Sequence, residues 1–492
     1  MKSLHQATVN SSSHVQRLAL LLCLAALAGC AVGPNFAPPR TDVPKAWVGP
    51  TTAPATQPAA TSENLSQWWK AFHDPVLASL VEEALKSNLD MRIAQARIRQ
   101  ARANRGIAVS GIGPSVDASG SFQRSQASSG GQMGGGKSAV TNQYQVGFDA
   151  GWEIDIFGGV RRGIEAADAQ LISAIENQRD VQVTLAAEVA RDYIDLRSFQ
   201  QRIAIARKNL EAQKHSAELT RKRFEGGFVG RLDVANAQAQ VATTASQIPL
   251  LESSARQTIY AISVLLDREP GAMVQELSRP ADVPAAPPTV PGGVPADLLR
   301  RRPDIRRAEA DTHAATANIG VAMADLFPKA TINGSLGWQA ADAGSLFNPL
   351  SRFWSFGPSV TWNVFQSGRT LSNIEVQKAL EEQSILAYRQ TVLSAFHEVE
   401  NALIASAKEQ EHRQSLAEAV AANREAVQLA TKLYSEGHTD FLSVLSAQQA
   451  QFSSEDALAQ STATVSANLV ALYKALGGGW DEDTKVASVQ GE

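Results

Sequence analysis

The sequence predicts a mixed fold, an all-α coiled-coil barrel joined to a transmembrane β-barrel, with four strands per chain in a barrel shared between copies. Three observations predict it: an internal tandem repeat, apolar stripes longer than any ordinary globular helix needs, and four segments that alternate strictly between apolar and polar residues.

The repeat comes first because it divides the chain. The stretch from Leu89-Asp90 through Gly106 matches Pro303-Asp304 through Gly320 at an offset of 214, and Gly113-Pro114 matches Phe327-Pro328 at the same offset. Trp152-Glu153-Ile154 matches Trp362-Asn363-Val364 at an offset of 210. Gly227, Leu232, Val234, Ala237 and Gln238 match Gly437, Leu442, Val444, Ala447 and Gln448, again at 210. Four landmarks in one order at nearly constant offset indicate duplication. The first repeat is placed at 76–269 and the second at 297–477, joined by a linker over 270–296 whose proline-rich part runs from Pro280 to Pro295. A C-terminal tail occupies 478–492.

Each half is predicted to run short helix, two strands, then two very long helices. Apolar residues recur in steps of three and four from Ile164 through Ala167, Leu171, Val181, Leu185, Val189, Tyr193, Leu196, Ile203 and Leu210 to Ala217. The second half repeats this from about Arg369 to Tyr434. Roughly 60 helical residues extend about 90 Å. The stripes are rich in Ala, so a lone helix buries little area and neighbours must supply the rest. Each long helix ends at a glycine turn, with hairpin tips at about 225–230 and 435–440 that contain Gly226, Gly227 and Gly437.

The strands are placed at about 115–124, 143–156, 330–339 and 356–365. A strand crossing an outer membrane takes ~9–11 residues when tilted, close to these lengths. Soluble half-buried sheets alternate in the same way, so the aromatics sharpen the reading. They make up 6% of the chain, and many sit in or beside these strands: Phe122, Tyr144, Phe148, Trp152, Phe157, Trp338, Phe347, Phe353, Trp354, Phe356, Trp362 and Phe365. That clustering is expected to form a lipid-facing girdle over a polar lumen. Four strands are too few to close a barrel, and open edges are not tolerated in hydrocarbon, so several chains must share one.

The amino terminus reads as a targeting segment over 1–29, with Lys2 and Arg17 ahead of the apolar run Leu18 to Leu27. Leu27-Ala28-Gly29-Cys30 resembles the bacterial lipobox, which implies cleavage before Cys30 and covalent diacylglycerol and N-acyl lipid on it. An ordinary secretory signal with an incidental cysteine is the alternative. Ala31 stands where an Asp would signal inner-membrane retention, so the resemblance implies sorting to the outer membrane. Cys23 departs with the signal, no internal disulfide remains, and the segment 30–75 is expected to be extended. Beyond the signal there is no 18-residue apolar stretch for a transmembrane helix. Net charge is −4, from 45 basic and 49 acidic residues interspersed along the chain, which gives no footprint for nucleic acid.

Enzyme chemistry is not expected. Gly131 to Ser138 satisfies G-x-x-x-x-G-K-S, but it lies in a Ser/Gly-rich tract between amphipathic strands, whereas a phosphate loop opens a helix. His397-Glu398 lacks the second histidine a zinc site needs, and no cofactor or metal is predicted. Glu398 and Glu400 are expected to face water or adjacent chains.

Together these residues resemble TolC-type outer-membrane factors, specifically the NodT-like lipoprotein branch of efflux systems. The resemblance is carried by Trp68-Trp69-Lys70-Ala71-Phe72-His73-Asp74-Pro75-Val76-Leu77, by Trp152-Glu153-Ile154-Asp155-Ile156-Phe157-Gly158, by Arg302-Pro303-Asp304-Ile305-Arg306-Arg307-Ala308-Glu309-Ala310, by Ala395 through Leu403 and by Ala447-Gln448. It implies a TolC-like homotrimer with a twelve-stranded shared barrel, a periplasmic adaptor docked at the tips, and a proton-driven inner-membrane pump of the RND type behind a passive small-molecule conduit. A channel for type I protein secretion and a periplasm-spanning structural lipoprotein without a pore stay open as alternatives. Tyr434 matches a family tyrosine in the latch that closes the tips. Relatives carry aspartate rings where this chain has Ser443 and Ser446; Asp440 lies close by, one turn out of register, and Asp233 sits at the equivalent place after the first tip. A constriction built on Tyr434, Asp440, Leu442, Ser443 and Ser446 is therefore expected to rest on Leu442 and hydroxyl contacts more than on acids, with interhelical packing as the alternative role of the serines.

Overall fold

A computed structural model describes residues 31–44, 46–48, 65–126, 140–285, 287 and 300–481. Cys30, the stretch 131–138, residues 288–299 and those after Asp481 lie outside the described residues. The main helices among the described residues are α1 (Pro75–Ser87), α2 (Leu89–Ser110), α3 (Gly159–Glu225), α4 (Arg231–Leu265), α5 (Pro303–Ala324), α6 (Arg369–Glu436) and α7 (Phe441–Ala475). The strands are β1 (Ser115–Gln126), β2 (Val140–Ile154), β3 (Lys329–Ala340) and β4 (Arg352–Thr361). The duplication is visible in the lengths, 67 and 68 residues for α3 and α6 and 35 each for α4 and α7. The returning helices are thus about half as long as the helices they follow. Left-handed residues stop them, Asp267 at φ 57° after α4 and Gly477 at φ 71° after α7.

The chain forms two compact units, the first made of Met1–Arg40, Ile98–Ala174 and Ala308–Tyr388. It carries one antiparallel sheet in the order β1-β2-β3-β4. Ala118, Phe148, Leu336 and Trp354 stand opposite one another across the four strands, as do Val116, Ala150, Gly334 and Phe356. Opposed residues share a face, so the apolar sets of the four strands merge into one apolar surface. It is left open to solvent in the single chain, with Trp354 78% and Phe356 73% exposed. The other face carries Asp117, Asp149, Ser335 and Ser355 in one row.

Strand boundaries shift from the sequence reading, most of all in β2 and β4, which start at Val140 and Arg352. β2 stops at Ile154 because the Ile156 N–H turns back to the Ile154 carbonyl at 2.8 Å. β4 spans Arg352–Thr361, not 356–365, because its ladder ends where Lys329 pairs with Thr361, and Pro328 has no N–H to carry it further. Trp362 instead donates its indole N–H to the Leu326 carbonyl at 3.1 Å, as Trp152 does to Ile112 at 2.7 Å in the first repeat. Two residues expected in the lipid girdle do other work. Phe353 lies on the polar face over Gly337, where a Cβ would stand 2.4 Å from the Val146 oxygen, and Phe157 stacks on Phe327 at 4.6 Å.

The second unit comprises Thr41–Arg97, Ile175–Arg307 and Arg389–Glu492. Its core gathers Leu77, Leu80 and Val81 of α1 with Ile194 and Leu196 of α3, Ile262 of α4 and Leu469 of α7. The segment expected to be extended as far as residue 75 closes instead in a 3₁₀ turn, Trp68–Phe72, because its indoles are core residues and Trp68 stacks on Tyr473 at 5.3 Å. Asp74 then caps α1 through the Val76 and Leu77 N–H groups at 2.8 and 3.0 Å and accepts from the Tyr193 hydroxyl at 2.9 Å. Arg302 forks onto Asp304 at 3.0 and 2.7 Å and reaches Glu398 and the Ala475 carbonyl at 2.7 and 2.9 Å. Glu398 is therefore ion-paired while still facing water, and Glu400 accepts from the Val48 N–H at 2.8 Å.

Candidate functional site

The residues singled out near the hairpin ends lie together in the second unit, and the turns that bring them there follow from two glycines. At the end of α3, Gly227 has φ 78°, its N–H donates to Phe224 O at 2.9 Å, and the Phe228 N–H donates to Arg223 O at 2.8 Å. At the end of α6, Gly437 has φ 82°, with Gly437 N–H to Tyr434 O at 3.1 Å and His438 N–H to Leu433 O at 2.9 Å. Both are Schellman caps, which require a left-handed residue and so favour glycine at these two positions. Gly226 has a different reason to be small, since a Cβ there would come within 2.9 Å of the Phe228 ring.

Tyr434 is 2% exposed, within a small cluster of Ala237, Phe441 and Val444. Its hydroxyl donates to Thr220 Oγ1 at 3.3 Å, and its ring lies 5.6 Å from that of Phe441. The Arg223 guanidinium lies over the ring, 4.6 Å from its centroid, and also donates to the Tyr434 carbonyl oxygen. The end of the first hairpin thus closes on the end of the second through one aromatic ring.

This contact ends a polar seam with a seven-residue period. Along α3, Arg202, Asn209, Ser216 and Arg223 fall at successive heptad positions. Arg202 forms a fork with Asp456 at 2.7 and 3.1 Å, Asn209 donates to Glu455 at 3.1 Å, and Ser216 accepts from Gln448 at 2.8 Å. Glu455 also takes Arg424 at 2.8 Å. Burial raises its pKa, but hydrogen bonds from Gln451, Arg424 and Asn209 outweigh that and hold the carboxyl below its usual range.

The other predicted gate residues divide. Asp440 is the N-cap of α7, accepting from the Ser443 N–H at 3.0 Å and the Ser443 hydroxyl at 2.8 Å, and those bonds hold its carboxyl below the usual range. A second hydroxyl, that of Thr439, donates to Ser443 Oγ at 3.1 Å. Leu442 is 58% exposed and Ser446 is exposed beside it on α7, while Asp233 is half-buried on α4. The structure therefore separates a buried contact at Tyr434 from an exposed strip at Leu442 and Ser446. Sequence reasoning missed Arg223 and Thr220. The repeat held the signal, since an offset of 210 maps Tyr434 onto Phe224, the residue after Arg223.

Among the described residues no helix is long and apolar enough to cross a membrane, and no group of three or more His, Cys, Asp or Glu side chains is placed to hold a metal.

Known proteins match most of the chain. Residues 80–267 and 294–478 match the family model described as Outer membrane efflux protein. The chain is 33% identical over 465 residues to Nodulation protein T of Rhizobium leguminosarum bv. trifolii, covering 93% of this chain and 96% of that protein. It is 32% identical over 477 residues to the probable efflux pump outer membrane protein TtgC of Pseudomonas putida, covering 96% and 97% respectively. Among solved structures, the outer-membrane channel OprN superposes with a TM-score of 0.84 at 39% identity, over 92% of this chain and all of that one. The Campylobacter jejuni CmeC channel shares the fold at 22% identity, with a TM-score of 0.85 over 92% of this chain and 96% of that one. With two repeats that each match, four strands per chain and long helical hairpins, the chain belongs to the outer membrane efflux protein family and is a TolC-like efflux channel protein of the outer membrane.

Proposed function

We propose that three copies of this chain assemble into one passive conduit, anchored by lipid on Cys30, that carries small molecules out through the outer membrane. The observation that supports it best is the sheet: four strands with one continuous apolar face and two unpaired edges, β1 and β4. Such a surface is stable in hydrocarbon only when its edges are closed by further strands, and three copies supply twelve. The apolar row from Ala118 to Trp354 then faces lipid, and the row of Asp117, Asp149, Ser335 and Ser355 faces water.

In this reading the hairpin ends are the gate and the docking point. Gly226, Gly227 and Gly437 shape the tips that a periplasmic adaptor grips, and an inner-membrane pump of the RND type supplies the driving force. The latch is the Arg223–Tyr434–Thr220 contact, and the exposed strip at Leu442 and Ser446 lines the narrowing. Because the seam joining the hairpins is polar along Arg202, Asn209, Ser216 and Arg223, its parting exposes groups that water can satisfy. Such a seam opens at lower cost than an apolar one. Native mass spectrometry of the detergent-purified protein tests the assembly: a mass of three lipidated chains is expected, and a monomer or a different closed number contradicts the reading.

A further inference from the structure

Residues 31–36 are bound by the sheet-bearing unit through several independent contacts. The Val32 N–H donates to the Phe157 carbonyl at 3.0 Å. Arg162, its side chain 5% exposed, donates to the Val32 and Gly33 carbonyls at 3.2 and 3.4 Å and to Asn35 Oδ1 at 2.8 Å. Glu165 steadies that guanidinium at 2.7 Å and meets His313 Nε2 at 2.9 Å, and the Phe36 ring stacks on His313 at 4.3 Å. Three glycines admit the backbone. A Cβ on Gly158 would lie 2.6 Å from the Ala31 Cα, one on Gly33 would lie 2.5 Å from the Gly320 Cα, and one on Gly320 would lie 2.9 Å from the Val32 oxygen.

Chain ends are usually loose unless something ties them down, and here a buried guanidinium is aimed at backbone carbonyls of the arm. None of these contacts takes part in the hairpin latch. We infer that the groove of Gly158, Arg162, His313 and Gly320 is a receptor for the chain's own amino-terminal arm, with Arg162 as the positioning residue. The groove joins both repeats, since Gly158 and Arg162 belong to the first and His313 and Gly320 to the second. Its consequence rests on the lipid proposed for Cys30. The acyl chains attach one residue before docked backbone, so no flexible tether separates anchor from body.

Hydrogen exchange at the Val32 amide in the full-length oligomer tests this, with palmitate incorporation followed in parallel. Val32 is expected to be protected in the wild type and in Cys30→Ala. Arg162→Ala, which removes three hydrogen bonds to the arm, and Gly33→Ala, which forces a methyl against the Gly320 Cα, are expected to speed its exchange about 10- to 100-fold, while β2 amides stay protected and both variants still incorporate palmitate. Gly33→Ala changes only the arm, so it decides the matter if Arg162→Ala does not fold. Unchanged Val32 protection in Gly33→Ala overturns the receptor, and so does lost protection in Cys30→Ala, which would make the lipid the holder. Wild-type protein that takes up no palmitate while Val32 stays protected overturns the Cys30 reading alone.

Discussion

The guanidinium of Arg223 sits 4.6 Å from the ring centroid of Tyr434 and donates to the same residue's carbonyl oxygen, so one side chain holds both the ring and the backbone of the opposite hairpin end. The two residues flank corresponding glycine caps, at Gly227 and Gly437, in the two repeats. A cation over a ring contributes about 0.5–2 kcal/mol and a hydrogen bond about 1 kcal/mol. Those magnitudes suit the latch proposed for the hairpin ends.

Arg223→Ala is therefore expected to shift the closed–open balance by about 1–2 kcal/mol, a factor of roughly 5–30. Single-channel recording should show a higher open probability than wild type. Tyr434→Phe, which removes only the 3.3 Å bond to Thr220, should show a smaller rise. Equal effects of the two variants would mean that the cation–ring contact contributes nothing.

Ser446→Asp is expected to make the pore more cation-selective, because the residue is exposed on α7 one turn beyond the exposed Leu442. Three copies would add three carboxylates to one ring. Reversal potentials in a salt gradient measure it, and an unchanged value would place Ser446 away from the constriction.

Gly337→Ala should destabilise the sheet by about 1–3 kcal/mol per chain, the usual cost of forcing atoms into a filled space. The new methyl would stand 2.4 Å from the Val146 oxygen and 3.0 Å from the Phe353 ring. The melting temperature of the detergent-purified protein reports this. Gly357→Ala is the control, since a Cβ there meets nothing within 4 Å, and equal losses for both would argue against close β2–β3 packing.

Burial pushes the Asp192 carboxyl on α3 up to about 6, with Glu188 and Asp195 adding to it. An unfolded Asp titrates near ~3.9, so between about pH 4 and 6 the folded state holds the extra proton and stability falls as pH rises. Asp192 is only half-buried, and solvent screening reduces the penalty at neutral pH to about 1 kcal/mol. Asp192→Asn should therefore stabilise the protein at pH 7 and change little at pH 4. Thermal unfolding at the two values checks it, and the same gain at both would contradict the account.

Much of this architecture was legible because duplication and period leave strong marks. The offsets of 214 and 210 located both halves, and alternation placed all four strands, since a strand with one apolar face cannot change register without turning that face over. What stayed illegible depended on contacts distant in sequence. The end of β4 is set by Lys329 and Pro328 on its neighbour, not by its own residues, which alternate through Val364. Phe353 looks like a girdle residue until the ladder places it over Gly337. At the candidate site, Tyr434 and the tip glycines were legible from motif and turn chemistry. Arg223 lies 211 residues away, and only the fold brings it to the ring. The cap bonds from Ser443 to Asp440 likewise had no signature of their own in the sequence.

The central claim is a water-filled passage shared between copies, and planar-bilayer recording of the purified, full-length oligomer tests it most directly. Discrete, stepwise conductance is predicted, with a larger open fraction for Arg223→Ala. Protein that is folded and oligomeric yet gives no discrete conductance in either form would contradict the account.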